Sequence, residues 1–371
     1  MIIKKLKLVN FRNYSKVDLN FGCNMNIFIG ENASGKTNII ESLVVLSLTK
    51  SYKNISDSDL IKFSKKKSKI IGYIQCNNYF KNLEIEITEK EKQVKLNNTR
   101  IYCLANYISN LNIIIFKPDD LELIKGSPNI RRNLLNMELS QLSPLYLNTY
   151  NQYNKILKTR NEYLKVLFTN NIADKRYFDI LTEQLIEKAV IIYKLRKEYL
   201  DTINKNINII FKNITSEEKL SILYKPNIFF SDYENDSLKE TMNEILSRNY
   251  QRELHLGMTL FGPHRDDFQF QFNGMDMKLF SSQGQQKSAV LSYKFSIIPL
   301  FEEKNGTKPV LLLDDIFSEL DLKKRNRLLK YVNQGIQSII TTTDLKNISK
   351  NSLKNATIFK VSNGNVERSN N

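Results

Sequence analysis

One segment restricts this chain more than any other: Gly30-Glu31-Asn32-Ala33-Ser34-Gly35-Lys36-Thr37, a match to G-x-x-x-x-G-K-[ST]. It follows the apolar run Ile27-Phe28-Ile29 and opens a helical pattern through Ile39, Ile40, Leu43, Val44 and Leu48. Such a loop turns backbone N–H groups inward, and the helix behind it presents its positive end, so together they cradle a phosphate. Lys36 is placed to reach the β- and γ-phosphates of a nucleotide, and the Thr37 hydroxyl to bind Mg²⁺. A plain glycine turn is the alternative, and the strand-before, helix-after context argues against it. A chain built around this loop needs an α/β core.

Two later segments fit the same chemistry. Val310-Leu311-Leu312-Leu313 reads as a buried strand that ends in Asp314-Asp315. Asp314 is expected to complete a Mg²⁺ shell beside Thr37, and Asp315 to polarise the attacking water as general base. Paired acids after an apolar strand also suit a loop start or helix cap, a reading that the upstream phosphate loop disfavours. Ser282-Gln283-Gly284-Gln285-Gln286 stands thirty residues before the acids. By itself it is an ordinary helix start, with Ser282 as cap and Gln285 at the third position. Its place ahead of an apolar helix also makes it a fit ligand for a terminal phosphate.

Along the chain, residues 1–29 alternate as short strands, and 69–116 return to strands spaced like an antiparallel meander. Residues 119–212 are mainly helical in period. Segments 145–168 and 174–212 carry apolar faces, with Asn170-Asn171-Ile172-Ala173-Asp174 as the turn of an antiparallel hairpin. At 1.5 Å per residue each arm spans only about 35–55 Å. Asn273-Gly274 marks a hairpin turn after the alternating strand 267–272. A strand is expected near 337–341 and another near 357–361, and the tail from Asn363 is expected to be disordered.

Lys and Arg number 55 against 39 acids, a net charge of +16 that points to a polyanionic partner, nucleic acid first and anionic membrane second. Codon bias is the competing source of so much lysine and asparagine. Candidate DNA contacts are Lys65, Lys66, Lys67 and Lys69, then Arg131 and Arg132, then Lys323, Lys324, Arg325, Arg327 and Lys330; each cluster alone also suits a solvated face. No run of about eighteen apolar residues occurs, so no membrane-spanning helix is expected. The N-terminus lacks the apolar core of a signal peptide, and the three cysteines are far apart without a C-x-x-C pair, which fits a reducing cytoplasm.

The order of these parts is that of an ABC-type ATPase head, and the chain resembles the RecF family of bacterial recombination mediators, relatives of the SMC proteins. The resemblance rests on Asn10-Phe11-Arg12-Asn13-Tyr14, the loop from Gly30 to Asn38, Phe116-Lys117-Pro118-Asp119-Asp120-Leu121, Gly262-Pro263-His264-Arg265-Asp266-Asp267, Ser282 to Gln286, and Leu311 to Asp321. It implies an α/β ABC-type head, with a phosphate-loop core sheet plus an antiparallel β meander. An inserted, mainly helical lobe would carry a short antiparallel arm, giving segments 1–116, 117–280 and 281–371.

The resemblance also implies a function. ATP and Mg²⁺ would be the cofactors, with Arg12 and Asn13 near the nucleotide. Ser282, Gly284 and Gln285 of one subunit would face the γ-phosphate held by Lys36 of another, with Asp321 reporting across the interface. ATP would thus promote a homodimer that clamps DNA, single-stranded or gapped duplex. RecO- and RecR-type mediators would be its partners in loading recombinase, supporting replication forks and the SOS response. Its ATPase would be weak and DNA-dependent. Thr341-Thr342-Thr343-Asp344 stands where a switch histidine is usual, and Asp315 where transporters carry glutamate; both favour slow hydrolysis. His264 either is structural or lines the nucleotide or DNA face. A transporter-like or phage-defence ABC subunit is the alternative reading; the meander, short arm and basic charge speak against the first, and the lack of a metal-nuclease cluster against the second. A long-armed SMC or zinc-hook protein fails on arm length.

Overall fold

The computed structural model describes residues 1–53, 55–169, 174–217, 219–319, 322–332, 335–345 and 353–369. Strands β1 (Ile2–Phe11), β2 (Tyr14–Asn20) and β3 (Met25–Ile29) precede the glycine loop. After the helix Lys36–Leu48 come β4 (Lys67–Cys76), β5 (Tyr79–Thr88), β6 (Lys92–Leu96), β7 (Thr99–Arg100) and β8 (Ile113–Phe116). Later in the chain lie β9 (Leu220–Lys225), β10 (Asp267–Phe272), β11 (Met275–Asp276), β12 (Val310–Asp314), β13 (Ser338–Thr342), β14 (Ala356–Ser362) and β15 (Asn365–Arg368).

The chain divides into two compact units, one formed by Met1–Leu121, Ile209–Glu217 and Gln283–Asn371, the other by Glu122–Asn208 and Glu218–Ser282. The first unit holds two sheets. One is the antiparallel meander, in order β2-β1-β4-β5-β6-β7; the other is the core sheet, in order β15-β14-β3-β13-β12-β8. In the core sheet every neighbouring pair from β14 to β8 is parallel. The strands β3, β8 and β12 are near-continuous apolar runs because both faces are covered, and β13 is buried throughout although it carries Ser338, Thr341 and Thr342. Phe28 stacks on Phe359 at 4.7 Å, with Phe21 edge-on to both, at the centre of this core.

Two expectations are corrected here. Ile113–Phe116 was read as part of the antiparallel meander, but β8 pairs in parallel with β12 at the edge of the core sheet. All four of its residues are buried, and two-sided burial without alternation marks a parallel strand. The tail from Asn363 is not disordered through 369: β15 returns along β14, turning at Asn363 (φ 45°) and Gly364 (φ 79°). Positive φ at both turn residues is the geometry that favours Asn-Gly in a two-residue hairpin, as at Asn273-Gly274 (φ 52° and 78°).

The second unit contains the sheet β11-β10-β9 and most of the paired long helices Pro144–Thr169 and Lys175–Thr215. The 41 residues of the latter extend about 60 Å. The turn at 170–173 lies outside the described residues. Along the expected apolar faces Leu145 and Ile180 are more than half exposed, while Arg160 and Arg196 are fully buried.

Candidate functional site

The glycine loop joins β3 to the helix Lys36–Leu48. Gly35 holds φ 115°, where a Cβ would come within 2.5 Å of Asn13 Nδ2 and 2.7 Å of the Tyr14 hydroxyl. At Gly30 the same atom would collide with the Val361 carbonyl. Glu31, Asn32 and Ala33 face solvent at the loop's crown, with Ala33 at φ 64°. Lys36, only 7% exposed, donates from Nζ to the carbonyls of Gly30 and Glu31, both at 2.7 Å. Burial pushes this ammonium below its usual range, an effect opposed by the nearby carboxylates of Asp315 and Asp314.

Sequence-distant groups meet at Asp314. Its Oδ1 accepts from Thr37 Oγ1 at 2.9 Å and from Thr341 Oγ1 at 2.8 Å. Thr341 Oγ1 also accepts from the Asp315 backbone N–H at 2.9 Å. Asp315 itself sits at φ 49°, a left-handed conformation that turns the chain at the strand end. Tyr52 approaches Asp314 Oδ2 at 3.4 Å; burial, then the charge of that carboxylate, pushes its phenol well above the usual value.

Asn13 reaches the same loop, with Nδ2 donating to the Ser34 carbonyl at 3.3 Å and Oδ1 accepting from Asn38 at 2.9 Å. Arg12 takes another direction. Its guanidinium grips the fully buried Glu41 through two bonds of 3.0 and 2.8 Å, and donates to the Asp59 carbonyl at 2.7 Å. Burial would raise the Glu41 carboxyl, but the bonds from Arg12 and Ser51 and the charge of Lys53 outweigh it and hold it below the usual range. Glu41, Tyr52, Asn38 and the bonding role of Thr341 were not anticipated. Thr341 alone left a signal, by standing where a switch histidine was sought.

The residues fit a nucleotide phosphate and a hard divalent cation. Ser34 Oγ is buried with no hydrogen-bond partner, an orphan donor inside the loop that a phosphate oxygen satisfies. Thr37 and Asp314 form an all-oxygen pair of the kind Mg²⁺ prefers.

The helix Gln283–Ser296 starts directly after Ser282, and Ser282 and Gln283 are exposed. Gly284 offers its carbonyl to Lys324 at 3.0 Å and to Ser288 at 2.9 Å, and Gln285 donates to Glu217 at 3.3 Å. Asp321 lies outside the described residues.

The basic candidates separate sharply. Lys65, Lys66 and Lys67 are exposed, the last 3.9 Å from Glu86. Arg131 and Arg132 are engaged within the fold. Arg131 is 8% exposed, doubly bonded to Asp267 at 2.6 and 2.9 Å and tied to the Leu123 and Gly126 carbonyls. Arg132 donates to the Asp266 carbonyl at 2.8 Å, and burial pushes its guanidinium below its usual range. From the third cluster, Arg325 bonds the Phe317 carbonyl and Arg327 the Ile214 carbonyl.

His264 is bonded within the fold through both ring nitrogens. Its Nε2 meets the Thr259 carbonyl at 3.2 Å, which can only accept, so Nε2 carries the proton and Nδ1 accepts from the Tyr153 hydroxyl at 2.6 Å. Burial pushes its pKa down to about 4, with the nearby arginines adding to the effect against the Thr259 bond. Between pH 4 and 6.5 the unfolded chain therefore binds a proton that the folded chain refuses. Stability from this group is complete above pH 6.5 and lost as pH falls, by about 1.4 kcal/mol per pH unit. Urea unfolding at pH 6.5 and 5 should show a drop about 2 kcal/mol larger for wild type than for His264→Gln; equal drops would place the imidazole in water.

The family described as RecF/RecN/SMC N terminal domain matches residues 2–367. A "DNA replication and repair protein RecF" from Listeria welshimeri is 40% identical over 370 residues, 100% of each chain. A protein of the same name from Halalkalibacterium halodurans is 41% identical over 370 residues, covering 99% of this chain and 100% of the relative. Among solved structures, "recombination mediator protein RecF-ATP in RecFOR pathway" superposes with a TM-score of 0.91 at 31% identity, covering 99% of this chain and 97% of that one. An SMC head bound to the C-winged helix domain of ScpA matches in fold alone, with a TM-score of 0.56 at 16% identity over 100% and 98% of the two chains.

Proposed function

Since this chain belongs to the RecF/RecN/SMC family and carries its ABC-type ATPase head, we propose that it is a DNA repair and replication protein that works as an ATP-driven clamp. The observation that carries this reading is the 2.9 Å bond between Thr37 and Asp314, groups 277 residues apart that form a phosphate-and-metal site only in the folded head. Among the described residues no helix is long and apolar enough to cross a membrane, and we place the protein in the cytoplasm.

ATP is the substrate whose phosphates the Gly30–Thr37 loop holds. Lys36 exchanges its two carbonyl bonds for phosphate oxygens, and Ser34 Oγ gains its missing partner. Asn13 steadies the loop through Ser34. Thr37 and Asp314 would hold Mg²⁺, which would supply neutralisation of the phosphate charge. Asp315, near enough to Lys36 to act on its charge, takes the proton of the attacking water. Its short side chain and the threonine at 341 suit slow, DNA-stimulated turnover that times release of the clamp. The exposed Ser282, with Gly284 and Gln285 behind it, meets the γ-phosphate of a second copy, so ATP closes a homodimer. RecO- and RecR-type proteins would then use the clamp at single-stranded gaps in duplex DNA to load recombinase, feeding the SOS response.

The test pairs light scattering with DNA binding. Wild type should dimerise and retain gapped duplex only with ATP. Lys36→Met should lose ATP binding, whereas Ser282→Arg should bind ATP within about threefold of wild type and stay monomeric. Dimerisation of Ser282→Arg would overturn the contact in trans, and ATP binding without dimerisation of wild type would point to an ABC subunit of another complex.

A further inference from the structure

We infer that the turn Lys62-Phe63-Ser64-Lys65, with Lys66 beside it, is a nucleic-acid contact in which Phe63 stacks on an unpaired base while Lys65 and Lys66 hold the flanking phosphates. The inference rests on the DNA-clamp reading and adds to it a specific element and a preference for single-stranded character.

Phe63 is 94% exposed, the most exposed large apolar side chain among the described residues. It is not on a floppy tip. The Lys65 N–H closes the turn on the Lys62 carbonyl at 3.0 Å, Ser64 sits at φ 66°, and the Lys62 N–H is bonded to the Asn10 carbonyl at 2.8 Å. The turn is bonded into the fold, but the Phe63 ring it holds in water between lysines buries almost none of its own surface; a ligand with π-faces and negative charge makes use of both features. A nucleic-acid strand has both, and base stacking on an aromatic ring tolerates any sequence. Among the described residues no ion pair is recorded for Lys65 or Lys66, so their charges face outward unneutralised.

The turn is also wired to the phosphate loop. Lys62 Nζ donates to the Asn13 carbonyl at 3.0 Å and to Ser15 Oγ at 2.7 Å, while the Asn13 side chain donates to the Ser34 carbonyl at 3.3 Å. On the other side, the Arg12 N–H bonds the Leu60 carbonyl at 2.9 Å. One residue, Asn13, thus touches both the loop that holds phosphate and the turn that carries Phe63. Any movement of the loop on binding ATP would reach the turn through Asn13, so strand binding is expected to depend on nucleotide. An anionic membrane would also accept lysines and one phenylalanine, but nothing in a membrane contact calls for a link to the phosphate loop.

The experiment uses the full chain with a non-hydrolysable ATP analogue, and fluorescence anisotropy on a labelled oligothymidylate and on a blunt duplex of equal length. Phe63→Ala should weaken oligothymidylate binding about tenfold and duplex binding less than about twofold. Lys65→Gln with Lys66→Gln should weaken both and lower the salt slope by about two. Tyr79→Ala, removing a 75% exposed ring at the turn between β4 and β5, should change neither. The analogue should tighten oligothymidylate binding by wild type more than by Phe63→Ala. Unchanged strand affinity in Phe63→Ala, while wild type binds strongly, overturns this inference and leaves the clamp standing. A loss of analogue affinity in Phe63→Ala overturns it in favour of stacking on the nucleotide's own base. Tight binding to phosphatidylglycerol vesicles that Phe63→Ala abolishes, with strand binding intact, assigns the turn to a membrane instead. If wild type binds neither DNA, the clamp reading and this inference fall together.

Discussion

Asp315→Asn is expected to slow ATP hydrolysis by about 10²–10⁴-fold while leaving ATP affinity within a few fold, so that the ATP-closed dimer accumulates. The substitution keeps the backbone of the turn for structural reasons. Asparagine matches the shape of aspartate and accepts the left-handed backbone at φ 49° at least as readily, so the turn after β12 survives. The bond from the residue's N–H to Thr341 Oγ1 is retained because it is a backbone bond. What disappears is a proton acceptor and one negative charge beside Lys36. Loss of that charge removes repulsion towards a triphosphate, so the sign of any change in affinity is towards tighter binding. Single-turnover hydrolysis and equilibrium binding of labelled ATP separate the two effects. Wild-type turnover in the variant would move the general base elsewhere and reduce Asp315 to a turn residue.

Arg196→Met is expected to destabilise the protein by about 3–5 kcal/mol, the scale of removing one member of a buried ion pair. Arg196 is fully buried and donates to Asp266 Oδ2 at 2.8 Å, to the Pro263 carbonyl at 2.6 Å, to Asn136 Oδ1 at 2.8 Å and to the Tyr146 hydroxyl at 3.1 Å. Asp266, 1% exposed, keeps the Tyr224 hydroxyl and the Asn227 N–H but loses its counter-charge. Methionine fills most of the volume, so the loss reports the charge rather than a cavity. Urea unfolding followed by circular dichroism gives the number, since the chain has no tryptophan. A change below about 1 kcal/mol would mean that water already shares this interior.

These two residues also mark how far a sequence can be read. The position of Asp315 was legible because the acid pair follows an unbroken apolar strand, and the groups beside the pair, Thr37 bonded to Asp314 and Lys36 near both carboxylates, belong to a motif that carries its own geometry. Arg196 was invisible. It falls beside an apolar helical face, and its partner Asp266 lies 70 residues away, with no periodicity to link them. Arg131 shows the same blind spot from the other side, since a basic pair looks like a surface patch until Asp267, 136 residues on, claims it. The paired long helices and the β1–β2 and β4–β6 strands were readable from local alternation and period. The edge β8–β12 was not, because parallel pairing leaves no turn between partners and a short apolar run looks the same in either sheet.

The core sheet has a temporal consequence. Strand β3 lies between β13 and β14, so its neighbours on both sides come from the last part of the chain. A ribosome adding 5–20 residues per second needs roughly 15–70 s to pass from the end of β3 to the end of β14. Until β13 is made Met25–Ile29, the strand that carries the phosphate loop, has both edges unpaired, and one edge stays so until β14 follows. The meander β1-β2 and β4–β7, built from near neighbours, can close early and shelter part of it. A chain interrupted before residue 338 keeps its glycine loop and lysine but lacks Thr341 and the strands that frame the site, so the framed site exists only once synthesis has passed β13 and β14.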